Sequence, residues 1–205
     1  MRQIVFASNN AHKLRELREI LGEDFEVLGL ADIGCHDDIP ETADTFEGNA
    51  LLKARYVKEH YGYDCFADDS GLEVDALGGA PGIYSARYAG EGHDSAANNA
   101  RLLRELSGVT DRRARFRTAI ALLTGDSEPR YFNGSVEGSI LTEAHGDAGF
   151  GYDPLFCPEG WSKTFAEATP EEKNAVSHRG RAVRLLAEYL VSLTNTTYPN
   201  PCNDK

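Results

Sequence analysis

The ten residues 114–123, ARFRTAIALL, alternate apolar side chains with basic or small ones. A period of two residues is typical of a β-strand with one buried face. Residues 125–129 then favour a turn, and residues 131–141 favour a returning strand. The sequence therefore predicts a long antiparallel hairpin in the second half of the chain.

Strands alternate with helices in the predicted structure of the first third. Leu14, Leu17 and Leu21 recur at helical spacing after a short apolar run, and Gly22 favours a helix end. The predicted elements are a strand at 4–7, a helix from Ala11, a strand at 25–30, a polar loop at 31–44, a helix at 45–61 and a short strand at 65–67.

The remaining segments surround the hairpin. The Gly-rich stretch 78–92 is long for a loop inside a domain, and such loops are often functional. Residues 150–157 are predicted as irregular chain with strand character. Helices are predicted from Asp94 or Ser95 to Leu106, from a capping box at Thr169, and from Ser177 onward. The last helix is expected to bury Ala182, Leu185, Leu186, Tyr189 and Leu190.

Strand–helix units followed by a hairpin predict an α/β fold with a mixed sheet, in two lobes with a cleft between them. Residues 1–193 are expected to form one domain. The polar residues 194–205 are expected to be a fraying tail.

Composition excludes several classes of protein. The 205 residues carry a formal charge of −12, with 41% hydrophobic residues, so neither a disordered chain nor bulk electrostatic binding of DNA or anionic lipid is expected. Because of this charge we expect no nucleic-acid partner. We also expect no membrane partner, because no apolar run reaches the length of a signal-peptide core or a membrane span. Four cysteines without a C-x-x-C pair are typical of inert thiols in the cytoplasm.

The first polar run that can do chemistry is Ser8-Asn9-Asn10-Ala11-His12-Lys13, between a strand and a helix. Free backbone N–H groups and the helix dipole bind phosphate readily at such a place. The simpler interpretation is a helix cap beside a solvated lysine.

A second run, Asp68-Asp69-Ser70-Gly71, follows the short strand predicted at 65–67. Two adjacent carboxylates beside an apolar strand are costly unless a cation is bound, and Mg²⁺ prefers carboxylate and phosphate oxygens. Glu41 can complete such a metal site. The alternatives are a plain turn and a solvated surface acid, since Asp, Ser and Gly all favour turns.

Two further runs complete the set. In Phe150-Gly151-Tyr152-Asp153-Pro154, the aromatic rings around a glycine suit a platform for a flat base, although a core aromatic pair beside a turn fits equally. Lys173, Ser177, His178 and Arg179 gather cations and donors near a helix N-terminus. Basic groups are unfavourable beside that positive end unless an anion binds, so a merely capped helix is the weaker interpretation. Together the four runs indicate a metal-dependent enzyme acting on a nucleotide.

The chain resembles the inosine/xanthosine triphosphate pyrophosphatases, which remove noncanonical purine nucleotides. The matching segments span residues 8 to 181, and their combination is specific although each alone is weak. His12 is a departure, because the family often has a small residue there. Besides the four runs, the resemblance rests on Thr45-Phe46-Glu47-Gly48-Asn49-Ala50, Lys53-Ala54 and Gly78-Gly79-Ala80-Pro81-Gly82-Ile83-Tyr84-Ser85-Ala86-Arg87-Tyr88.

The resemblance implies a long mixed β-sheet flanked by helices, two lobes around a central cleft, and a homodimer. It implies Mg²⁺-dependent hydrolysis of ITP, dITP and XTP to the monophosphate and pyrophosphate. Asp69 is the expected catalytic carboxylate, as general base or as metal ligand, with Glu41 and Asp68 as further metal ligands. The expected substrate-binding residues are Ser8, Asn9, Asn10, Ala11, His12, Lys13, Lys53, Ser70, Phe150, Gly151, Tyr152, Asp153, Lys173, His178 and Arg179.

Within that set, Lys13, Lys53 and Lys173 are expected to contact phosphate, and Phe150 to stack on the base. Donors from His178 and Arg179 would pair with the 6-carbonyl of hypoxanthine or xanthine and disfavour the 6-amino group of adenine. Arg179→Ala is expected to reduce that preference more than folding.

Three rival functions remain open at this point. A related pyrophosphatase acting on pyrimidine or modified nucleotides would differ only in its substrates. A nucleotide-binding module would bind ITP without releasing pyrophosphate, although such a module has no need of the costly acidic pair. A phosphomonoesterase would release phosphate instead.

Overall fold

One mixed β-sheet of six strands organises the computed structural model, which describes residues 2–22, 25–125 and 127–196. Helices cover both of its faces. The strands are β1 (Arg2–Phe6), β2 (Phe25–Leu28), β3 (Cys65–Val74), β4 (Arg113–Leu123), β5 (Arg130–Ile140) and β6 (Phe156–Pro158). The helices are α1 (Ala11–Leu21), α2 (Phe46–Tyr61), α3 (Ser95–Glu105), α4 (Pro170–Val176) and α5 (His178–Thr196).

The strand order is β2-β1-β3-β4-β5-β6. Strand β1 is parallel to β2 and β3, and all later pairings are antiparallel. The predicted hairpin is confirmed, since β4 and β5 pair from Arg113 opposite Ser139 to Leu122 opposite Arg130. The α/β class with a long mixed sheet is confirmed with it.

The core is divided between two halves of the sheet. In one half, Phe6 and Phe66 pack under α1 and α5, while Ala54 and Val57 of α2 pack on the opposite face. In the other half, a separate cluster around Phe116 joins α3 to β4, β5 and β6. The two long strands β3 and β4 run through both halves of the sheet. The cleft described below lies between the two halves, where the predicted two-lobed fold has its cleft.

Strand β3 is much longer than the sequence predicts. The run Asp68-Asp69-Ser70-Gly71 lies inside it, and the prediction that this run follows a strand is wrong. Every residue from Cys65 to Val74 pairs with β4, so the sheet supplies backbone partners throughout. Tertiary pairing therefore overrides the turn preference of these four residues.

The ends of several other elements also differ. Strand β2 stops at Leu28, two residues early, and Thr45 is the N-cap of α2 rather than its first helical residue. Ser177 caps α5, since its Oγ accepts the Gly180 N–H at 3.0 Å. Leu185 was predicted to be buried but is 46% exposed.

Helix α5 continues to Thr196, three residues past the predicted domain end. The rest of the predicted tail, with Cys202, lies outside the described residues. Cys35, Cys65 and Cys157 are all free thiols. No helix in the described ranges has the length and apolar character needed to cross a membrane.

Candidate active site

A cleft of about 650 Å³ lies where the two halves of the sheet meet. It collects side chains that are far apart in sequence, from the β1–α1 turn to the start of α5. The predicted residues that line it are Ser8, Asn9, Asn10, Lys13, Glu41, Lys53, Asp69, Ser70, Phe150, Gly151, Tyr152, Asp153, Lys173, His178 and Arg179. Ala11, His12 and Asp68 do not line this cavity.

The turn from β1 into α1 is held by its own side chains. Asn10 caps the helix, and its Oδ1 accepts the N–H groups of His12 and Lys13 at 3.0 and 3.1 Å. Ser8 Oγ accepts the Asn10 N–H at 3.2 Å. Three of the backbone donors expected to surround a phosphate are thus already bonded to capping side chains, so the Lys13 ammonium is the clearest phosphate donor of this turn.

Asp68 lies beneath the cleft and is engaged on both oxygens. It accepts Lys13 Nζ at 2.9 Å, Ser70 Oγ at 2.9 Å and Arg179 Nε at 3.3 Å, and its side chain is 1% exposed. Burial opposes its ionisation, but Lys13 and Arg179 outweigh burial and hold the pKa of Asp68 well below its usual range. Asp68 therefore anchors two cations, and its role as a metal ligand stays a prediction.

The ion-pair network continues through Glu16, which sequence analysis missed. Glu16 on α1 pairs with Arg179 at 2.5 Å and with Lys173 at 2.9 Å. Lys173 also pairs with Asp153 at 2.7 Å. A lone glutamate on an amphipathic helix looks like a surface residue in sequence, because its partners lie 157 and 163 positions away.

Asp69 points to the other face of β3, as neighbouring residues of a strand must. Its Oδ2 accepts Asn49 Nδ2 at 3.0 Å, and no basic side chain among the described residues forms an ion pair with it. Burial, together with the charge of Glu41, raises the pKa of Asp69 although Lys53 and Lys13 act against this. Asp69 is thus a buried carboxylate that faces the cleft without a cation of its own.

Asn49 lies in the segment 45–50, which carries part of the family resemblance, but it is not among the predicted site residues. It is fully buried on α2, where its Oδ1 accepts the Ala43 N–H at 2.9 Å while its amide holds Asp69. In the sequence, Asn49 interrupts the apolar face of α2 one turn before Lys53. A polar residue at such a position indicates a buried hydrogen bond, and this pattern could have identified Asn49.

Glu41 enters the cleft from the segment before α2 and forms an ion pair with Lys53. Burial opposes the ionisation of Glu41, but Lys53 lowers its pKa overall. The same segment is tied to α2 by Asp37, whose Oδ2 accepts the hydroxyls of Tyr56 and Tyr61 at 2.8 and 3.2 Å. These bonds fix the position from which Glu41 reaches the cleft.

Aromatic rings form the opposite wall. Phe150 is half-buried, with Lys173 Nζ 4.8 Å and the Arg179 guanidinium carbon 5.6 Å from its ring centroid. His178 stacks on Phe116 with centroids 4.8 Å apart. Burial, then Arg179 and Lys173, lowers the pKa of His178 well below its usual value, so its ring is neutral near pH 7.

The Nδ1 atom of His178 is buried without a hydrogen-bond partner in the described residues. A neutral imidazole presents one donor and one acceptor, and a buried polar atom is costly while it lacks a partner. His178 also lines the cleft, so its neutral ring can offer a donor or an acceptor to a polar group of a ligand.

A further wall comes from the turn at Gly82–Arg87, which the sequence identified only as a loop. Ser85 Oγ accepts the Leu72 N–H at 2.8 Å, and the Ser85 carbonyl accepts the Tyr152 hydroxyl at 2.8 Å. Asn98, another missed residue, donates to the Ala86 carbonyl at 3.0 Å. The turn is thereby fixed to both β3 and α3.

The charges of the cleft nearly cancel. Lys13, Lys53, Lys173 and Arg179 each contact a carboxylate, a fifth cation, Arg87, lies 4.0 Å from Glu41, and Asp69 is a further acid of the lining. Within the described ranges, no three acidic, histidine or cysteine side chains converge to hold a metal by themselves. Mg²⁺ commonly uses one or two carboxylates and completes its shell with water and phosphate oxygens, so Glu41 and Asp69 fit it when a phosphorylated ligand is present.

Fold and site together define an α/β protein whose cleft suits a phosphorylated ligand that carries a flat ring. The model of the Ham1 family matches residues 4–189, and the chain belongs to this family. A relative from Porphyromonas gingivalis named dITP/XTP pyrophosphatase is 54% identical over 192 residues, which is 93% of this chain and 98% of that protein.

A second relative of the same name, from Flavobacterium psychrophilum, is 52% identical over 187 residues, covering 91% of this chain and 98% of its own. The solved structure of the Staphylococcus aureus Ham1 protein superposes with a TM-score of 0.85 at 43% identity, covering 94% of this chain and all of that one. The resemblance stated from the sequence is thereby confirmed.

Proposed function

We propose that this protein hydrolyses noncanonical purine nucleoside triphosphates, namely ITP, dITP and XTP, to the monophosphate and pyrophosphate, and so removes them from the nucleotide pool. Two relatives that are more than half identical over nearly the whole chain bear the name dITP/XTP pyrophosphatase. The cleft supports the same activity, because its lining brings together basic side chains, the carboxylates of Glu41 and Asp69, and the ring of Phe150.

The observation that carries the proposal is the position of Asp69. Among the described residues it is the buried acid of the cleft lining that no cation pairs with, since the other unpaired acids of the lining, Asp38 and Glu91, are exposed, and Asn49 orients it. A carboxylate whose pKa is raised by burial accepts a proton better than an exposed one. Asp69 is therefore the proposed acceptor of the proton from the water that attacks the α-phosphorus.

Glu41 and Asp69 would hold Mg²⁺ together with the phosphates. When bound, the ion would neutralise phosphate charge and act as a Lewis acid. The charges of the cleft support this proposal, since its cations Lys13, Lys53, Lys173 and Arg179 already contact carboxylates and leave little positive charge for a triphosphate.

The other residues of the chain bind and orient. Lys13 and Lys53 would contact phosphate oxygens, and so would Ser70 of β3, which lines the same cleft. As the bond from the α-phosphorus to its bridging oxygen breaks, pyrophosphate leaves with the negative charge that these lysines stabilise. Lys173 Nζ lies 4.8 Å from the centroid of the Phe150 ring. We therefore propose a role beside the base for Lys173, in place of the phosphate contact expected from the sequence.

Base selection would fall to the start of α5. His178 lines the cleft, and the donor of its neutral ring would pair with a 6-carbonyl, whereas a 6-amino group there would leave donor facing donor. Arg179 lies at the same wall but is committed to Glu16 and Asp68, so its contribution to selection is indirect.

We also propose that residues 1–193 act as a single catalytic domain, that the protein is a homodimer, and that it works in the cytoplasm. The family match over residues 4–189 supports the first of these. The other two rest on the family resemblance and are testable by light scattering and by cell fractionation.

The test is purified protein incubated with ITP and with ATP, with Mg²⁺ and with EDTA, scoring pyrophosphate against phosphate. We expect pyrophosphate from ITP that requires Mg²⁺, and little from ATP. Phosphate as the direct product would favour a phosphomonoesterase, and tight ITP binding without product would favour a binding module.

A further inference from the structure

The ring of His12 stacks on the ring of Phe150. Their centroids are 5.4 Å apart and their planes are inclined by 24°. His12 is an exposed residue in the first turn of α1, outside the 650 Å³ cleft. It therefore covers part of the ring on which the proposed function, if correct, requires a base to stack.

Three groups lie over the Phe150 ring: the His12 imidazole, the Lys173 ammonium and the Arg179 guanidinium. Lys173 and Arg179 are 7% and 2% exposed and are held by buried carboxylates. The His12 side chain has no hydrogen bond or ion pair within the described residues. Of the three, His12 is the one that can move without breaking a buried ion pair.

Free space adjoins the stacked pair. A second cavity of about 210 Å³ is lined by both rings, together with Arg15, Glu16 and Gly149. The rings can therefore separate without repacking the core. The backbone of His12 stays fixed, because its N–H is bonded to the Asn10 cap.

We propose that His12 is a substrate-affinity residue whose ring closes on the purine base from the side opposite Phe150, so that the base lies between the two rings. In this structure the two rings lie against each other. Separating them loses one aromatic contact, whereas insertion of a base creates one contact on each of its faces. The inference rests on the proposed function and adds to it a second wall for the base.

The test compares His12→Ala and His12→Phe with the wild type in ITP hydrolysis. His12→Ala should raise KM about fivefold and change kcat less than twofold, because base–aromatic stacking contributes to binding and not to the reacting phosphate. His12→Phe keeps a flat ring and should restore KM to within about twofold of the wild type. His145→Ala, which removes an exposed histidine that lines neither cavity, is the matched control.

Inhibition by inorganic tripolyphosphate separates a base contact from a phosphate contact. This inhibitor has no base, so its inhibition constant should be the same in His12→Ala and in the wild type. A KM for ITP that is unchanged or lower in His12→Ala, or a tripolyphosphate constant that rises in parallel with KM, would overturn the inference and leave the proposed function standing. A wild type that releases no pyrophosphate from ITP would overturn both.

Discussion

Asp69 differs from the neighbouring Asp68 in its partners, although the two are adjacent in sequence. Asp68 is bonded to two cations beneath the cleft, whereas Asp69 faces the cleft and is held by Asn49 alone among side chains. The alternation of a β-strand separates the two carboxylates by placing them on opposite faces. One serves to anchor Lys13 and Arg179, and the other is left for chemistry.

Asp69→Asn should lower kcat by about 10² or more, since a positioned acid–base group contributes that much. The variant should stay folded, because the substitution removes a buried charge that has no ion-pair partner. The measurement is pyrophosphate release together with a urea unfolding curve. Asp75→Asn makes the same change just beyond the end of β3, outside the cleft, and should leave kcat unaltered. Turnover like that of the wild type in Asp69→Asn would remove Asp69 from the mechanism.

Arg179→Ala should destabilise the fold by about 1–3 kcal/mol, because it removes a buried guanidinium from Glu16 and Asp68, which keep Lys173 and Lys13 as partners. This replaces the expectation from sequence that the variant alters selectivity more than folding. Arg113→Ala removes an arginine whose ion pairs are exposed, and should not shift the unfolding midpoint measurably. Equal midpoints for the two variants in urea would contradict the network described here.

The role of a residue is predictable from sequence where it belongs to a short polar run. It is not predictable where the role depends on partners that are distant in sequence. The runs around Lys13, Asp69 and His178 were found because polar groups cluster at the ends of apolar segments. Glu16 is not among the predicted residues, and the anchoring of Arg179 by Asp68 is not predicted, since only the folded chain shows that both acids lie beside Arg179.

At the scale of elements, the position of α5 against β5 sets the geometry of the site. The two approach closely at Gly134, where an added Cβ would overlap the His178 carbonyl oxygen and lie 2.8 Å from the Ala182 nitrogen. The neighbouring contact from Arg181 to the Ser135 carbonyl, at 2.7 Å, fixes the same helix end. The glycine thus allows α5 to bring His178 and Arg179 into the cleft.

Gly134→Ala should therefore push α5 away from the sheet and destabilise the protein by about 1–3 kcal/mol, which is typical of overpacking. It should also raise KM for ITP, because His178 moves with the helix. Ser135→Ala, one residue later on the same strand, serves as the control, since only its backbone carbonyl contacts α5. Unfolding curves and steady-state kinetics measure both effects, and a stable variant with an unchanged KM would show that the helix position is not critical.

Long periodic elements were predicted well, and their ends were not. The alternation in β4 and the apolar stripe of α2 are strong signals, because each repeats over many residues. The extent of β3 was underestimated because Asp, Ser and Gly favour turns locally, whereas ten pairings with β4 keep them in the sheet. Local preference cannot anticipate a partner strand that lies some fifty residues away.

For the whole molecule, burial of His178 links stability to pH. The folded state keeps its ring neutral, whereas the unfolded chain takes up a proton near the ordinary pKa of about 6.5. Below that pH the unfolded state binds more protons, so stability falls as the pH falls. Asp68, whose pKa is lowered, adds a further loss only below its unfolded pKa of about 4.

The free energy of unfolding should accordingly be about 1 kcal/mol lower at pH 5.5 than at pH 7.5 on account of His178. Asp69 and Asp153, whose pKa values are raised, act in the opposite direction, so a comparison with His178→Gln isolates the histidine. Urea unfolding at the two pH values measures the difference. The control His145→Gln, which changes an exposed histidine, should show the pH dependence of the wild type. If the free energy of unfolding of His178→Gln depends on pH as that of the wild type does, this explanation is wrong.

We propose that water attacks the α-phosphorus of the purine triphosphate held in the cleft. Hydrolysis of ITP in ¹⁸O-labelled water, followed by mass spectrometry of both products, tests it most directly. We predict one labelled oxygen in the inosine monophosphate and none in the pyrophosphate. Label in the pyrophosphate would mean attack at the β-phosphorus, and labelled orthophosphate would mean attack at the γ-phosphorus; either result would contradict the account.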